Sequence, residues 1–179
     1  ESEWITKNNK IKNFIKSSFG VFDKKFFARK CEIKEINNIA YRNFCEENHL
    51  QGYSPASVKI GLFYENELIQ IMSFAKPRFS KDIEWELTRE CSKMNYSIVG
   101  GKRKLLKYFE RKYNPKSLIS YCEKDKFSGK SYYEAGFKLD RESQPSYNYF
   151  YKHDLTPLSR LTFQKCKLKN LLETFDENL

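Results

Sequence analysis

The stretch SIVGGKRKLLKYF (97–109) places two glycines directly before a cationic run that opens a helix. A Gly-Gly turn entering a helix exposes backbone N–H groups at the positive end of the helix dipole, an arrangement suited to phosphate oxygens. Gly100, Gly101, Lys102, Arg103 and Lys104 are therefore candidate anion binders. Lys107 and Arg111 on the same helix, with Lys124, Lys126 and Lys130 on the next loop, would extend them into one basic rim for nucleic-acid phosphates. A second set has the chemistry of proton transfer. Glu86 or Glu84 can serve as a base through a water, Tyr132 as an acid, and His49 titrates near neutrality. Arg89 falls on the apolar face of its segment, where a charge needs a partner, either Glu86 or an acidic ligand. Tyr147, Tyr149 and Tyr151 alternate beside Lys152, as base-stacking side chains or as one side of a strand's core.

Composition narrows the class of protein. The chain has 179 residues, enough for one domain with a real core, and 40% hydrophobic content argues against disorder. A formal net charge of +10 fits an anionic partner, nucleic acid being the commonest, or a lysine-rich solubilising surface. The five cysteines are scattered singly, and with two histidines they lack metal-ligand spacing. Reduced thiols packed as small apolar side chains, in a cytoplasmic compartment, fit this usage. No apolar run has the length of a membrane span and the N-terminus has no signal-peptide pattern, so no membrane partner is expected.

The elements that must position these residues follow from periodicity. Residues 1–25 read as a basic helical lead-in, with Trp4, Ile11, Phe14 and Ile15 as a weak apolar stripe. FFARKCEI (26–33) alternates as a strand, and Ile36, Ile39, Ala40 and Phe44 fall at helical spacing up to His49. KIGLFY (59–64) and LIQIMSFA (68–75) read as a hairpin. In DIEWELTREC (82–91), Ile83, Trp85, Leu87 and Cys91 share one face, and Glu84, Glu86, Thr88 and Glu90 the other. The helix after Gly101 buries Leu105, Leu106, Phe109 and Tyr113 and stops at Asn114-Pro115. SLISYC (117–122) is a short strand, SGKSYYEAGF a helical turn ending at Gly136, and SYNYFYK (146–152) a last strand. Leu168, Leu171, Leu172 and Phe175 predict a closing amphipathic helix. Strands 83–91 and 117–122 flank a helix and should run parallel through a right-handed crossover. The predicted fold is α/β in the α+β sense: a mixed, largely antiparallel sheet of about six to seven strands flanked by helices.

This order, with Gly-Gly at a strand-to-helix junction and SYYEAGF after the next strand, resembles the GNAT acyltransferase fold. The family's loop pattern is Arg or Gln, two residues, Gly, any residue, then Gly or Ala, and it holds the coenzyme A pyrophosphate. Gly100 matches the first glycine, Ser97 stands where Arg or Gln belongs, and Lys102 replaces the last small residue. The family's Tyr-x-x-x-Gly-Phe motif is met by Tyr132, Gly136 and Phe137, which implies an acid for a departing coenzyme A thiolate.

A narrower resemblance covers nearly the whole chain. ARKCEI, ENHLQGY, GLFYENELIQIMSF, WELTREC, SIVGGKRKLLKYF, YYEAGF and FQKCKLKNLLETFDENL look like the C-terminal region of phage-encoded Vsr-like homing endonucleases. In those proteins a nuclease fold ends near a segment similar to ESEW (1–4), and a GNAT-like module follows. The resemblance implies a lead-in over 1–25 from an N-terminal nuclease domain of the same polypeptide, a GNAT-like domain over 26–155, and a helical extension over 156–179. It implies DNA as partner, no cofactor, catalytic nuclease residues outside this sequence, and residence in the host-cell cytoplasm. The alternative is a working N-acyltransferase that uses acetyl-CoA or another acyl-CoA on a nucleic-acid base or protein amine, with Tyr132, Glu86 and His49 as its catalytic residues. The basic excess, the missing Arg or Gln and the lysine in the loop favour DNA.

Overall fold

The structure, a computed structural model, describes residues 4, 6–145, 147–151, 153, 158–164 and 167. The chain forms two compact units, Asn9–Lys138 in one and Glu1–Asn8 with Leu139–Leu179 in the other. The candidate phosphate-binding and proton-transfer residues belong to Asn9–Lys138, whereas Tyr147, Tyr149 and Tyr151 belong to the other unit. After helix α1 (Asn8–Ser18) come strands β1 (Lys24–Phe27) and β2 (Glu32–Glu35), then helix α2 (Asn38–Asn48). The hairpin of β3 (Val58–Tyr64) and β4 (Glu67–Ala75) leads to β5 (Trp85–Ser92) and β6 (Tyr96–Val99). Helix α3 (Gly101–Tyr113), β7 (Leu118–Ser120) and the one-turn helix α4 (Lys130–Ala135) follow.

The main sheet has the order β2-β3-β4-β5-β7, antiparallel except for β5 and β7, which run parallel as predicted from the intervening helix. Helices pack on both faces, so the fold is the expected mixed, largely antiparallel α+β type. Five strands make this sheet; the others lie in two-stranded ribbons. Leu105, Leu106 and Phe109 of α3 close the larger core over Ile60, Leu62, Met72, Phe74 and Leu87. The Phe74 and Phe109 rings stack at 3.5 Å, and Trp85 meets Phe109 edge-on at 5.3 Å. Tyr41, Phe44 and Cys45 of α2 cover Ile71 on the opposite face.

Four expectations change. The predicted strand over 26–33 is broken by a 3-10 turn at Ala28–Lys30, so β1 pairs with β6 and β2 with β3. Ile39 is 72% exposed, and Tyr41 and Cys45 take the inward positions of α2, because the buried stripe lies one residue away from the spacing assumed. Among its described residues, SYNYFYK contributes Asn148–Tyr149 to a ribbon with Leu158–Ser159 in the other unit. The helix expected at Leu168–Phe175 lies outside the described residues.

The fourth change matters most to the site. Ser73 pairs with Arg89 and Phe74 with Leu87, which leaves Thr88 as an extra residue in β5. Such a bulge reverses the alternation of side chains beyond it. Before it, Trp85 and Leu87 face α3; after it, Glu90 does, and Cys91 packs with the α2 cluster. Glu90 therefore does not share a face with Glu86, nor Cys91 with Leu87.

Candidate nucleic-acid interface

The two glycines have separate local reasons. Gly100 caps α3 in the left-handed region, with φ +77°, and a side chain there would strain the turn. Gly101 has a right-handed backbone but no room: a Cβ would lie 1.8 Å from Gln70 Oε1 and 2.8 Å from Ile98. Gln70 is a buried β4 residue whose Nε2 donates to Glu90 Oε1 at 2.9 Å. The Gly-Gly pair thus lets the first turn of α3 seat directly on the sheet.

That first turn carries Lys102, Arg103 and Lys104 and no acidic residue, the reverse of what the helix dipole favours. Two of the three cations turn inward. Lys102 Nζ lies 3.5 Å from Glu90 Oε2, donates to Ser131 Oγ at 3.1 Å and sits 3.8 Å above the Tyr132 ring. Lys104 Nζ donates to the Ala28 and Cys31 carbonyls at 2.8 and 2.5 Å, tying α3 to the turn between β1 and β2. Lys102 and Lys104 are engaged with the chain's own oxygens, where the sequence reading has them receive a ligand's.

The outward stripe is different. Arg103, Lys107 and Arg111 recur every four residues, are exposed, and have no ion-pair partner among the described residues. They line a groove of about 610 Å³ with Gly100, Lys104 and Lys112, over a floor that includes Ile33 of β2 and Tyr108. Lys112 at its far end bonds Glu35 Oε1 at 2.6 Å, and Tyr113 shares that oxygen at 2.6 Å. Those two bonds hold the Glu35 carboxyl below the ordinary glutamate range.

The remaining candidates do not converge. Lys124, Lys126 and Lys130 do not line the groove; Lys126 bonds Glu123 at 2.8 Å and Lys130 lies 3.9 Å from Glu134. The single basic rim expected from the sequence is therefore confined to α3. Arg89 donates to the Gly52 carbonyl at 2.9 Å and the Thr88 carbonyl at 2.8 Å, so it braces the loop after α2 and does not clamp Glu86. Glu86 is buried and accepts the Arg78 amide at 3.2 Å. Strand alternation puts Glu86 on the α2 face, away from Tyr132, which packs with the α3 core. His49 ends α2, its Nδ1 accepting the Gln51 amide at 3.1 Å.

Tyr132 has a site of its own. Strands β5 and β7 pair only from Trp85 with Leu118 to Leu87 with Ser120. At the end of that pairing, Ser120 Oγ lies 3.3 Å from both the Leu87 carbonyl and the Tyr132 hydroxyl. Burial raises the phenol's pKa above its ordinary value. Among the described residues no group of three or more His, Cys, Asp or Glu side chains could hold a metal, and no helix is long and apolar enough to cross a membrane.

Sequence reasoning missed Gln70, Glu90, Ile33 and Tyr108. Glu90 is displaced by the bulge, which no residue type announces; Gln70 is a polar residue within an otherwise apolar run and was legible as an anomaly. Ile33 and Tyr108 depend on how β2 meets α3.

No family model and no curated protein matches the chain. Among solved structures, it is similar to an aminoglycoside acetyltransferase from an uncultured soil metagenomic sample, crystallised with trehalose. That similarity has 12% identity and TM-score 0.47, over 69% of this chain and 97% of that one. A possible acetyltransferase from Clostridium difficile 630 aligns at 12% identity and TM-score 0.45, over 68% and 99%. An integron cassette protein from the mobile metagenome of V. cholerae aligns at 15% and 0.47, over 81% and 99%.

Proposed function

We propose that this chain is a GNAT-like module that contacts nucleic acid through the outward face of α3, serving the nuclease part of a phage homing-type endonuclease. The observation that carries the contact is the column of Arg103, Lys107 and Arg111 along one groove. Phosphate oxygens are the partner such a column fits: three cations at 6 Å steps, set by the rise of about 1.5 Å per residue, face solvent together. The inward pinning of Lys102 and Lys104 leaves the outer cations as the contact, so phosphate meets the helix flank and not its N-terminus. The link to a nuclease rests on the sequence motifs alone.

A second reading, an acyl-CoA-dependent N-acyltransferase, is favoured by Tyr132, whose hydroxyl meets Ser120 Oγ where the β5–β7 pairing ends. A phenol there could protonate a departing thiolate. The Lys102 ammonium over its ring and the placement of Glu86 on the other face weigh against it.

Fluorescence-anisotropy titration with DNA over several salt concentrations, beside a thermal-shift assay with acetyl-CoA, separates the two. The nucleic-acid reading expects salt-sensitive binding and no shift. A clear rise in Tm with acetyl-CoA and no DNA binding would reverse the order.

A further inference from the structure

The shape of the groove says more than its charge. We infer that it takes a single, unpaired strand, with a base laid against Tyr108 and the backbone phosphates on Arg103, Lys107 and Arg111. This rests on the nucleic-acid reading above and goes further, because charge alone would serve a duplex equally well.

Three observations support it. First, the cations line an open groove along α3 beside Ile33 of β2, and a basic groove of this kind can track the backbone of a flexible strand whose bases are free to turn toward it. Second, the lining is not uniformly ionic. Ile33 and the half-buried Tyr108 supply carbon surface among the cations, a combination suited to a base whose ring is free to leave the stack. Third, Tyr108 is held from behind. It packs against the main core, and Lys112 Nζ lies 3.5 Å from its hydroxyl, so the ring is positioned before a ligand arrives. From Arg103 to Arg111 the column spans about 12 Å, so the site is short.

The test compares thymidine 12-mers with duplexes of equal length on the intact chain, and maps contact by photocrosslinking a 5-iodouracil oligonucleotide. The inference expects the single strand to bind about tenfold tighter and the crosslink to fall on Tyr108. Stacking of one base is worth about 1–3 kcal/mol, so Tyr108→Ala should weaken single-strand binding by about 5- to 150-fold, and Tyr108→Phe should not. The crosslink uses the unmodified chain and remains decisive if Tyr108→Ala fails to fold. Equal affinity for both DNA forms, with crosslinks away from Tyr108, would overturn the single-strand inference and leave the phosphate-binding reading standing. Absence of binding to either form would sink both. Displacement of the strand by coenzyme A at equal concentration would assign the groove to a nucleotide coenzyme and overturn it as well.

Discussion

The cations of one helix, α3, have opposite fates. On the inner flank, Lys102 pairs with Glu90 and donates a hydrogen bond to Ser131, and Lys104, although it borders the groove, donates to two backbone carbonyls; both tie α3 to the rest of the fold. On the outer flank, Arg103, Lys107 and Arg111 stand in a column of like charge. Like charges four residues apart on a helix cost about 0.2–0.5 kcal/mol per pair. The fold offers these three no carboxylate among the described residues, so nothing there offsets the repulsion within the column. Charge by itself therefore does not mark a binding residue; the side chain's engagement within the fold does.

The largest effect should come from reversing the outer column. Arg103→Glu with Lys107→Glu and Arg111→Glu is expected to weaken DNA binding about a hundredfold at low salt. For three phosphates on a single strand, the slope of log affinity against log salt should also flatten by about two. The Tm should stay level or rise, since like-charge repulsion is not increased. Anisotropy titrations at three salt concentrations measure this, and unchanged affinity would remove α3 from the contact.

On the inner flank the effect should fall on stability. Gly101→Ala puts a methyl into the Gln70 amide, and Gln70 is only 3% exposed and bonded to Glu90, so it has little room to yield. The expected loss is about 1–3 kcal/mol by chemical denaturation, as for other overpacked sites. A loss below about 0.5 kcal/mol, flagged by an unchanged denaturation midpoint, would show that the first turn of α3 is loosely seated.

How much of this was legible beforehand depends on the physics behind each feature. The α3 core face of Leu105, Leu106 and Phe109 follows directly from a 3.6-residue period, and the parallel pairing of β5 and β7 from chain handedness. The direction of Lys102 and Lys104 was not legible. It requires knowing that the extra residue Thr88 turns Glu90 toward α3, and that the 3-10 turn at Ala28–Lys30 leaves two carbonyls pointing at Lys104. Both features are register effects, which residue types encode weakly. The separation of Glu86 from Tyr132 has a related origin: strand alternation turns Glu86 to the α2 face while Tyr132 packs with the α3 core, and His49 ends α2 as a hydrogen-bond acceptor for the Gln51 amide.

The Lys102–Glu90 pair sharpens the contrast at smaller magnitude. Their side chains are 15% and 21% exposed, so the pair is neither bare nor fully desolvated. Lys102→Met should cost about 1–2 kcal/mol by leaving a half-buried carboxylate without its cation. Adding Glu90→Gln should restore part of that loss in a double-mutant cycle. DNA affinity should change less than twofold in either variant. A tenfold drop for Lys102→Met would place the inner flank in the contact after all.

The smallest effect belongs to Lys112, which stands at the boundary between the flanks: it lines the groove yet bonds Glu35. Hydrogen bonds from Lys112 and Tyr113 hold the Glu35 carboxyl below its ordinary 4.5. A depressed folded pKa means the pair's contribution is present above that ordinary value and is lost as pH falls through the lower one. Because both side chains are nearly half exposed, solvent screens the pair and its contribution should be small. Glu35→Gln should therefore flatten the acid limb of the stability curve only slightly. At neutral pH it should also free the Lys112 ammonium for phosphate, tightening DNA binding by up to about twofold and steepening its salt dependence. Weaker binding in Glu35→Gln would mean that Glu35 orders the groove by holding Lys112 in place, and the line between structural and contacting cations would then run between Lys112 and Arg111.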